Sequence, residues 1–229
     1  MLDLYLIRHA ECIANQNPHI IGGRTNHSPI SDLGKLQIDN LGKRLRQQGI
    51  SFNEVYASPA VRTLETAKGV CTHIDHPLDD IIIHNNLQEL HQGDWEGKIR
   101  TEMFTPDVIA QMQTDPLNYH APNGESQLQV EQRMRSWLDN EIMARYEQEM
   151  KDKDYRIAVF THGVAIKCLI KSIMDSTPHM TWKIQLENTS MTRIRQGKWG
   201  WYMMGIGDAA HLEQLKPAGK YIEQTSFTF

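Results

Sequence analysis

The chain has 229 residues, of which 40% are hydrophobic, so it is long and apolar enough to fold as one sizeable domain. Its formal net charge of -4 gives no overall attraction to nucleic acid or to an anionic membrane surface, and no apolar stretch approaches the ~20 residues that span a bilayer. Neither a secretory signal nor a disulfide framework is visible, because the three cysteines are scattered, and a cytoplasmic location is therefore expected.

The first predicted element is a short apolar run at residues 2–7 that stops at Arg8 and His9. Its length and composition predict a buried β-strand. Open α/β sheets bind ligands outside the carboxyl ends of their strands, so a charged pair at this point is a candidate site. Taken alone, the pair is better explained as a solvated strand end.

The next segment, residues 10–28, has no helical or strand period, and its Gly22-Gly23 pair allows a close approach of backbone to a ligand or an ordinary turn. Ser31 is a predicted N-cap for a helix that ends near Gly49. A second short strand is predicted at 53–57.

Ser58 and Pro59 predict the start of a second helix, because serine is favoured at the N-cap and proline at the first helical position. Arg62 would then lie in the opening turn, just beyond the end of a strand. Its guanidinium would reach back towards the residues that end the first strand. An isolated arginine in such a helix is, however, usually a surface residue.

A third strand is predicted at 81–83, followed by a segment that contains Glu89 between turn-forming residues. Acidic residues in such a loop are normally solvated unless they face a site. Residues 99–119 are interrupted by Pro106 and Pro116, and they predict an irregular excursion that covers a cleft.

A long helix is predicted from 126 to 150, because its apolar residues recur at three- and four-residue spacings. An apolar strand at 157–160 follows, and it ends at Thr161, His162 and Gly163 before another helix. Two strands thus end on histidine, and parallel strands joined by helical crossovers bring such ends to one sheet edge.

A hairpin is predicted in the tail, with strands at 186–195 and 199–206. Together, the elements predict an α/β fold, a three-layer α/β/α sandwich with a mostly parallel central sheet and a C-terminal hairpin. A single domain is expected over 1–229, with 98–125 as a small covering insertion.

A site formed where the strand ends converge would hold two arginines, two histidines and a carboxylate. Guanidinium groups match the oxygens of a phosphoryl group and stay charged at any working pH. A neutral, oriented histidine is a nucleophile for phosphorus, and a carboxylic acid can protonate the leaving oxygen. The constellation therefore predicts phosphoryl transfer through phosphohistidine.

The sequence resembles the histidine phosphatase superfamily, the phosphoglycerate mutase-like proteins, over essentially the whole chain. The motif RHAE at 8–11 is similar to the family signature RHG, with Ala10 in place of glycine. The segments SPAVRT, ELHQGDWEG, PNGES and THG follow in the family's order. One motif would be weak, but five ordered segments are specific.

The resemblance implies roles for five residues. His9 would be the nucleophile that becomes phosphorylated. Arg8, Arg62 and His162 would hold the phosphoryl group and stabilise its charge in the transition state. Glu89 would donate the proton to the leaving group.

The resemblance also implies a phosphate-binding set that includes Asn15, Gly22 and Gly163. The family uses no metal, so neither a metal nor another cofactor is expected. The expected partner is a small-molecule phosphate ester, with no nucleic acid and no membrane, and a homodimer is left open.

Within the family, hydrolysis is favoured over a mutase reaction, because the stretch from Glu89 to His162 is short and Ile21 stands where mutases tend to place threonine. Two other classes of function are disfavoured. A non-catalytic phospho-ligand or protein-interaction module is disfavoured because His9 and Glu89 are both present. A metal site at Cys71, His73 and His76 is disfavoured because no second ligand pair has zinc-like spacing.

Overall fold

Six strands form one sheet in the structure, a computed structural model that describes residues 1–151 and 153–215. The strands are β1 (Leu2–Arg8), β2 (Glu54–Ala57), β3 (Ile81–Ile83), β4 (Tyr155–Thr161), β5 (Met191–Gly197) and β6 (Gly200–Asp208). Their order is β3-β2-β4-β1-β5-β6, in which the first four are parallel and the last two form an antiparallel hairpin. The predicted fold class is confirmed.

Helices cover both faces of this sheet. The α-helices are α1 (Asp32–Gln47), α2 (Val61–His73), α3 (Arg100–Met103), α4 (Pro106–Thr114), α5 (Gln127–Trp137), α6 (Gly163–Ile173) and α7 (Met180–Lys183). Short 3-10 turns lie at Ile13–Gln16, Leu78–Asp80, Asn85–Leu87, Gly93–Trp95 and Ala210–Leu215. None of the helices within the described ranges has the length and apolar content that a membrane span requires.

Strand β1 separates two hydrophobic cores. Its side chains alternate between the faces of the sheet, so Leu4 and Leu6 pack with the α5 and α6 layer while Tyr5 and Ile7 pack with the α1 and α2 layer. All of these side chains are buried. This double burial explains why β1 is an uninterrupted apolar run and why its position in the sheet is fixed.

The ends of β1 and β4 lie side by side. Arg8 pairs in register with Thr161, and the backbone N–H of His9 donates to the Thr161 carbonyl at 2.9 Å. Because the two strands are parallel, both chains leave the sheet at the same edge. The residues that follow, His9 and His162, therefore become neighbours.

The predicted cap at Ser58 and Pro59 is wrong. Helix α2 begins at Val61 with Ala60 as its N-cap, and the Val61 N–H donates to the backbone carbonyl of Asn26 at 2.8 Å. A carbonyl from another loop therefore satisfies the first helical N–H, which leaves the Ser58 hydroxyl for another partner. Arg62 still lies in the opening turn.

The excursion over residues 99–119 is more regular than predicted, because it contains α3 and α4. Pro106 does not interrupt a helix but starts one: it occupies the first turn of α4, and the Thr105 hydroxyl accepts a hydrogen bond from the Val108 N–H at 3.4 Å. Proline is tolerated there because that N–H has no partner within the helix.

The helix predicted over 126–150 begins as expected, with Ser126 as its N-cap, but α5 ends at Trp137. Wider π-helical turns follow at Leu138–Met143 and Tyr146–Met150. The apolar residues there recur in four-residue steps, from Leu138 to Ile142, Tyr146 and Met150. Such steps drift around an α-helix of 3.6 residues per turn, and a wider turn keeps them against the core.

The tail hairpin begins later than predicted, since β5 starts at Met191 and not at residue 186. Residues 186–190 loop over the end of β1 instead. There the Thr189 N–H donates to the Arg8 carbonyl at 3.0 Å, with Thr189 in the left-handed region at a φ of 58°. This loop carries Asn188 to the strand ends. The predicted domain bounds, 1–229, extend beyond the described residues.

Candidate active site

Arg62 lies between the two strand-end histidines and contacts both. Its Nε donates to His9 Nε2 at 3.2 Å, and its Nη2 is 3.1 Å from His162 Nδ1. The imidazole centroids of His9 and His162 are 5.2 Å apart. Arg62 is 3% exposed, and its guanidinium donates in turn to the carbonyls of Thr25 and Gly23, at 2.8 and 3.1 Å. The geometry thus fixes Arg62 and the two strand-end histidines relative to one another.

The hydrogen bonds of His9 fix its tautomer. Its Nδ1 lies 2.7 Å from the Ala10 carbonyl oxygen, which can only accept, so Nδ1 carries the ring proton. Its Nε2 faces Arg62, which can only donate, so that nitrogen presents a lone pair. The Asn188 amide also donates to the His9 carbonyl at 2.8 Å. The imidazole is therefore oriented with Nε2 as its nucleophilic atom.

The hydrogen bonds of His162 give the opposite pattern. Its Nδ1 accepts from Arg62, so its proton lies on Nε2, which is 2.9 Å from the Ser58 hydroxyl. A hydroxyl both donates and accepts, so Ser58 is compatible with either tautomer of this ring. If an oxyanion replaces Arg62 as the partner of Nδ1, the ring proton can move to Nδ1 and be donated to the anion. The Ser58 hydroxyl can then donate to the unprotonated Nε2.

Burial keeps both histidines neutral. Desolvation, reinforced by the charges of Arg62 and Arg8, holds the pKa of His9 well below its ordinary value. Desolvation and Arg62 do the same to the pKa of His162. A neutral imidazole is the form that acts as a nucleophile or general base, and the same arginines that keep it neutral attract an anion.

Arg8 ends β1 and forms part of the cleft wall. Its Nη1 donates to the Leu186 carbonyl at 2.5 Å, and Gly163 lies beside it, where a Cβ would stand 3.6 Å from Arg8 Nε. Burial lowers the pKa of Arg8, and the carboxylate of Glu89 opposes this effect. Arg8 and Arg62 thus bring two cations to a site with little solvent.

Glu89 is anchored at the N-terminus of α6. Its carboxylate accepts hydrogen bonds from the backbone N–H groups of Val164, Ala165 and Leu90, at 3.2, 3.1 and 2.9 Å. Glu89 lines the same cleft as His9. Its interaction with the helix N-terminus gives the carboxyl group a defined position on the side of the cleft formed by α6.

Two further arginines hold the backbone of Glu89. Arg24 Nε and Arg133 Nη2 both donate to the Glu89 carbonyl, at 3.1 and 3.0 Å. Glu125 joins them, because its carboxylate accepts from Arg24 at 2.7 Å and from Arg133 at 3.0 and 3.1 Å. The Arg133 guanidinium also donates to the Asn86 carbonyl at 2.6 Å. This network explains why PNGES, which contains Glu125, accompanies the Glu89 segment.

The predicted phosphate-binding residues Asn15 and Gly22 both line the cleft. The side-chain amide oxygen of Asn15, Oδ1, accepts a hydrogen bond from the backbone N–H of Cys12 at 3.1 Å. A Cβ at Gly22 would meet nothing within 4 Å, so no contact requires glycine there. Gly23 is the constrained position, because its φ is +114° and a Cβ would overlap the Glu96 carboxylate.

Ala10 fits its surroundings without crowding. Its methyl group is fully buried among the residues that pack under α1 and α2, and its N–H donates to the Thr66 hydroxyl at 3.0 Å. The side chain therefore packs into the core and not into the cleft.

The cleft has a volume of about 420 Å³ and is bounded on one side by residues from the excursion and α6. Arg100 of α3 lines it, and so does Lys167 of α6. Beside it lies a smaller apolar cavity that includes Trp95, Phe104 and Tyr119, and that shares Lys167 with the cleft. Segment 98–125 thus forms walls of both cavities.

Cys71, His73 and His76 do not converge on a common point. Within residues 1–151 and 153–215, no group of three or more His, Cys, Asp or Glu side chains is arranged to hold a metal ion. Cys71 is fully buried, and His73 contacts Asp39 at 3.2 Å.

Four residues at the site were absent from the sequence prediction: Ser58, Lys167, Asn188 and Arg133. Ser58 was assigned to a helix cap, and Lys167 and Arg133 read as ordinary helix residues. Asn188 was assigned to a strand. The four-residue spacing of Gly163 and Lys167, which places them on one helix face, was a signal that was available.

The chain is similar over most of its length to proteins of one family. A model of the histidine phosphatase superfamily (branch 1) matches residues 4–209. The probable phosphoglycerate mutase GpmB of Yersinia enterocolitica is 29% identical over 221 residues, which cover 93% of this chain and 96% of that protein.

Solved structures share the fold. YhfR of Bacillus stearothermophilus is 28% identical, with a TM-score of 0.76 over 93% of this chain and 100% of that one. A phosphoserine phosphatase from Entamoeba histolytica has a TM-score of 0.73 at 22% identity, with coverage of 93% and 100%. With a family model that matches most of its length and a site assembled at two parallel strand ends, the chain belongs to the histidine phosphatase superfamily.

Proposed function

We propose that this protein is a phosphomonoesterase that hydrolyses a phosphorylated small molecule through a phosphohistidine on His9. The observation that carries the proposal is the placement of Arg62 between His9 Nε2 and His162 Nδ1, with the proton of His9 fixed on Nδ1. A buried, neutral nucleophile thus contacts the Arg62 guanidinium and lies within the electrostatic influence of Arg8, and both guanidiniums match a phosphoryl group.

The first step transfers the phosphoryl group to the enzyme. The Nε2 lone pair of His9 forms a bond to phosphorus while the bond from phosphorus to the ester oxygen breaks. Arg8, Arg62 and His162 donate to the phosphoryl oxygens, where charge is spread in the transition state. Glu89, in its acid form, gives its proton to the leaving oxygen.

The second step returns the enzyme to its starting state. The Glu89 carboxylate takes a proton from water as the water oxygen attacks phosphorus. The bond from phosphorus to Nε2 breaks, its electron pair returns to His9, and inorganic phosphate leaves. Neither step draws on a metal or a further cofactor.

A second candidate is phosphoryl transfer of the mutase type, because GpmB relatives described as probable phosphoglycerate mutases align over nearly the whole chain. Both reactions start from the same phosphohistidine and differ in what accepts the group. Measuring free phosphate and phosphoglycerate isomerisation in the same sample separates them. Phosphate release without isomerisation supports the phosphatase, and isomerisation that outpaces phosphate release supports the mutase.

The role of Glu89 is tested with two leaving groups. An alkyl phosphate needs its leaving oxygen protonated, whereas nitrophenyl phosphate does not. Glu89→Gln should therefore lose more kcat/KM on ethyl phosphate than on nitrophenyl phosphate, by about a hundredfold. Equal losses on the two esters would remove Glu89 from the acid role.

A further inference from the structure

Lys167 brings to the cleft a cation that the phosphoryl chemistry above does not use. It lies on α6 and lines both the catalytic cleft and the apolar cavity beside it. In the described part of the chain, no hydrogen bond or salt bridge engages its side chain. The next lysine of the same helix, Lys171, is instead paired with Glu131.

Among the described residues, no carboxylate forms an ion pair with the Lys167 ammonium, although the charge of Glu89 acts on it. Burial, with the nearby charge of Arg8, lowers the pKa of Lys167 to about 8, although Glu89 opposes the shift. The group is still mostly protonated at neutral pH. The neighbouring cavity is lined mostly by apolar side chains such as Trp95 and Phe104. The carboxylate that also lines it, Glu125, is already paired with Arg24 and Arg133. Because a partly buried charge is costly unless it is paired, an anion of the ligand would be stabilised beside this ammonium.

The position of Lys167 sets the distance to the phosphoryl site. Gly163 lies against the Arg8 guanidinium, and Lys167 follows four residues later on the same helix face. Four residues of α-helix rise about 6 Å, so the lysine stem starts about one turn away from the phosphate-binding end of the cleft.

We propose that Lys167 is a second anion-binding site, which holds a carboxylate or second phosphate on the alcohol half of the substrate. The substrate would then be a phosphomonoester that carries a second anion on a short chain, so that both charges fit in one cleft of about 420 Å³. This inference rests on the proposed function, because it takes the strand ends as the site of the phosphoryl group.

Binding of phosphonates tests the site without turnover, since these analogues cannot be hydrolysed. Phosphonopropionate and propylphosphonate differ by one carboxylate, and ethylene bisphosphonate carries a second phosphonate on the same linker. Calorimetry should show that the wild type binds phosphonopropionate, ethylene bisphosphonate or both at least about tenfold tighter than propylphosphonate. This difference is the scale of one charge-assisted hydrogen bond. The carboxylate and bisphosphonate arms identify which anion is preferred.

Substitutions assign this preference to one residue. Lys167→Met should lose most of it and Lys167→Arg should keep it, while Lys68→Met, an exposed lysine on α2, should leave it unchanged. Equal affinities in the wild type, or an intact preference in Lys167→Met, would overturn the proposal. A loss of preference in Arg100→Met as large as in Lys167→Met would also overturn it, because the potential of the whole cleft would then select the anion.

A different measurement tests the proposed function. Nitrophenyl phosphate has no second anion, so its hydrolysis reports only on the phosphoryl site. A wild type that hydrolyses it but binds the phosphonates alike refutes the Lys167 site alone. A wild type that binds phosphonopropionate preferentially but hydrolyses no ester refutes the phosphatase and supports the anion site.

Discussion

The ends of β1 and β4 present the same residue type at the same sheet edge, yet they hold it differently. His9 has a carbonyl oxygen on Nδ1, which can only accept, whereas His162 has the Ser58 hydroxyl on Nε2, which can accept or donate. Both rings face Arg62 with their other nitrogen. The two histidines therefore differ in their second hydrogen-bond partner and not in residue type, and this partner determines the role that each can take.

This division separates a nucleophile from a phosphate ligand. His9 keeps its lone pair on Nε2, as a nucleophile must. His162 can move its proton to Nδ1 because Ser58 can reverse its role, and it can then donate to a phosphoryl oxygen. Arg62 can donate hydrogen bonds with and without substrate. Without substrate its donors contact the histidine lone pairs, and with substrate they would contact the phosphoryl oxygens.

The largest expected effect comes from removing the two histidines in turn. His9→Ala should lower kcat/KM on nitrophenyl phosphate at least about a thousandfold, because the nucleophile is lost. His162→Ala should lose about a hundredfold, the scale of one donor to the transition state. Steady-state rates, with thermal melting to show that each variant folds, provide the measurement. Equal losses of kcat/KM would contradict the separate roles of the two histidines.

Arg62→Lys tests the residue that lies between them. Lysine keeps the charge but lacks the fork that contacts His9, His162 and two loop carbonyls at once. We expect kcat to fall about a hundredfold. The matched variant Arg46→Lys changes an exposed arginine on α1 and should be neutral. A near-normal Arg62→Lys would show that charge alone suffices.

Ser58→Ala should have a smaller effect, about tenfold in kcat, because one buried hydrogen bond of His162 is lost. Nitrogen NMR of the ring gives a readout that stability alone does not move. In the wild type, the proton should shift from Nε2 to Nδ1 of His162 when vanadate binds, and in Ser58→Ala this shift should be impaired. An unchanged shift would end the role given to the hydroxyl.

The smallest effect is the pH dependence of stability. The pKa values of His9 and His162 lie well below the ordinary 6.5 in the folded chain, so below that pH the unfolded chain binds more protons. The free energy of unfolding should therefore fall as the pH drops below about 6.5, with a slope that approaches ~1.4 kcal/mol per pH unit for each histidine. Denaturant titrations of the wild type and His9→Ala check this, and the variant should have the shallower slope.

Much of this arrangement could be predicted from the sequence. Two apolar runs that end on histidine indicate two strands and the points at which the chain leaves the sheet. The strands, the cap at Ser31 and the position of Arg62 in its helix follow from local patterns. Ser58 could not be placed, because its partner His162 lies 104 residues away and its local pattern fits a helix cap. Asn188 could not be placed for the same reason, because its surroundings come from tertiary packing, whereas the spacing of Lys167 from Gly163 was a signal in the sequence.

The central claim, that His9 attacks through Nε2, is tested most directly by trapping the phosphoenzyme. The wild type is mixed with nitrophenyl phosphate, quenched in base within one turnover, digested, and examined for phosphohistidine by mass spectrometry and phosphorus NMR. We expect acid-labile phosphate on the peptide that contains His9, attached to Nε2. Phosphate on Nδ1 of His9, on His162, or on no residue while turnover continues would contradict it.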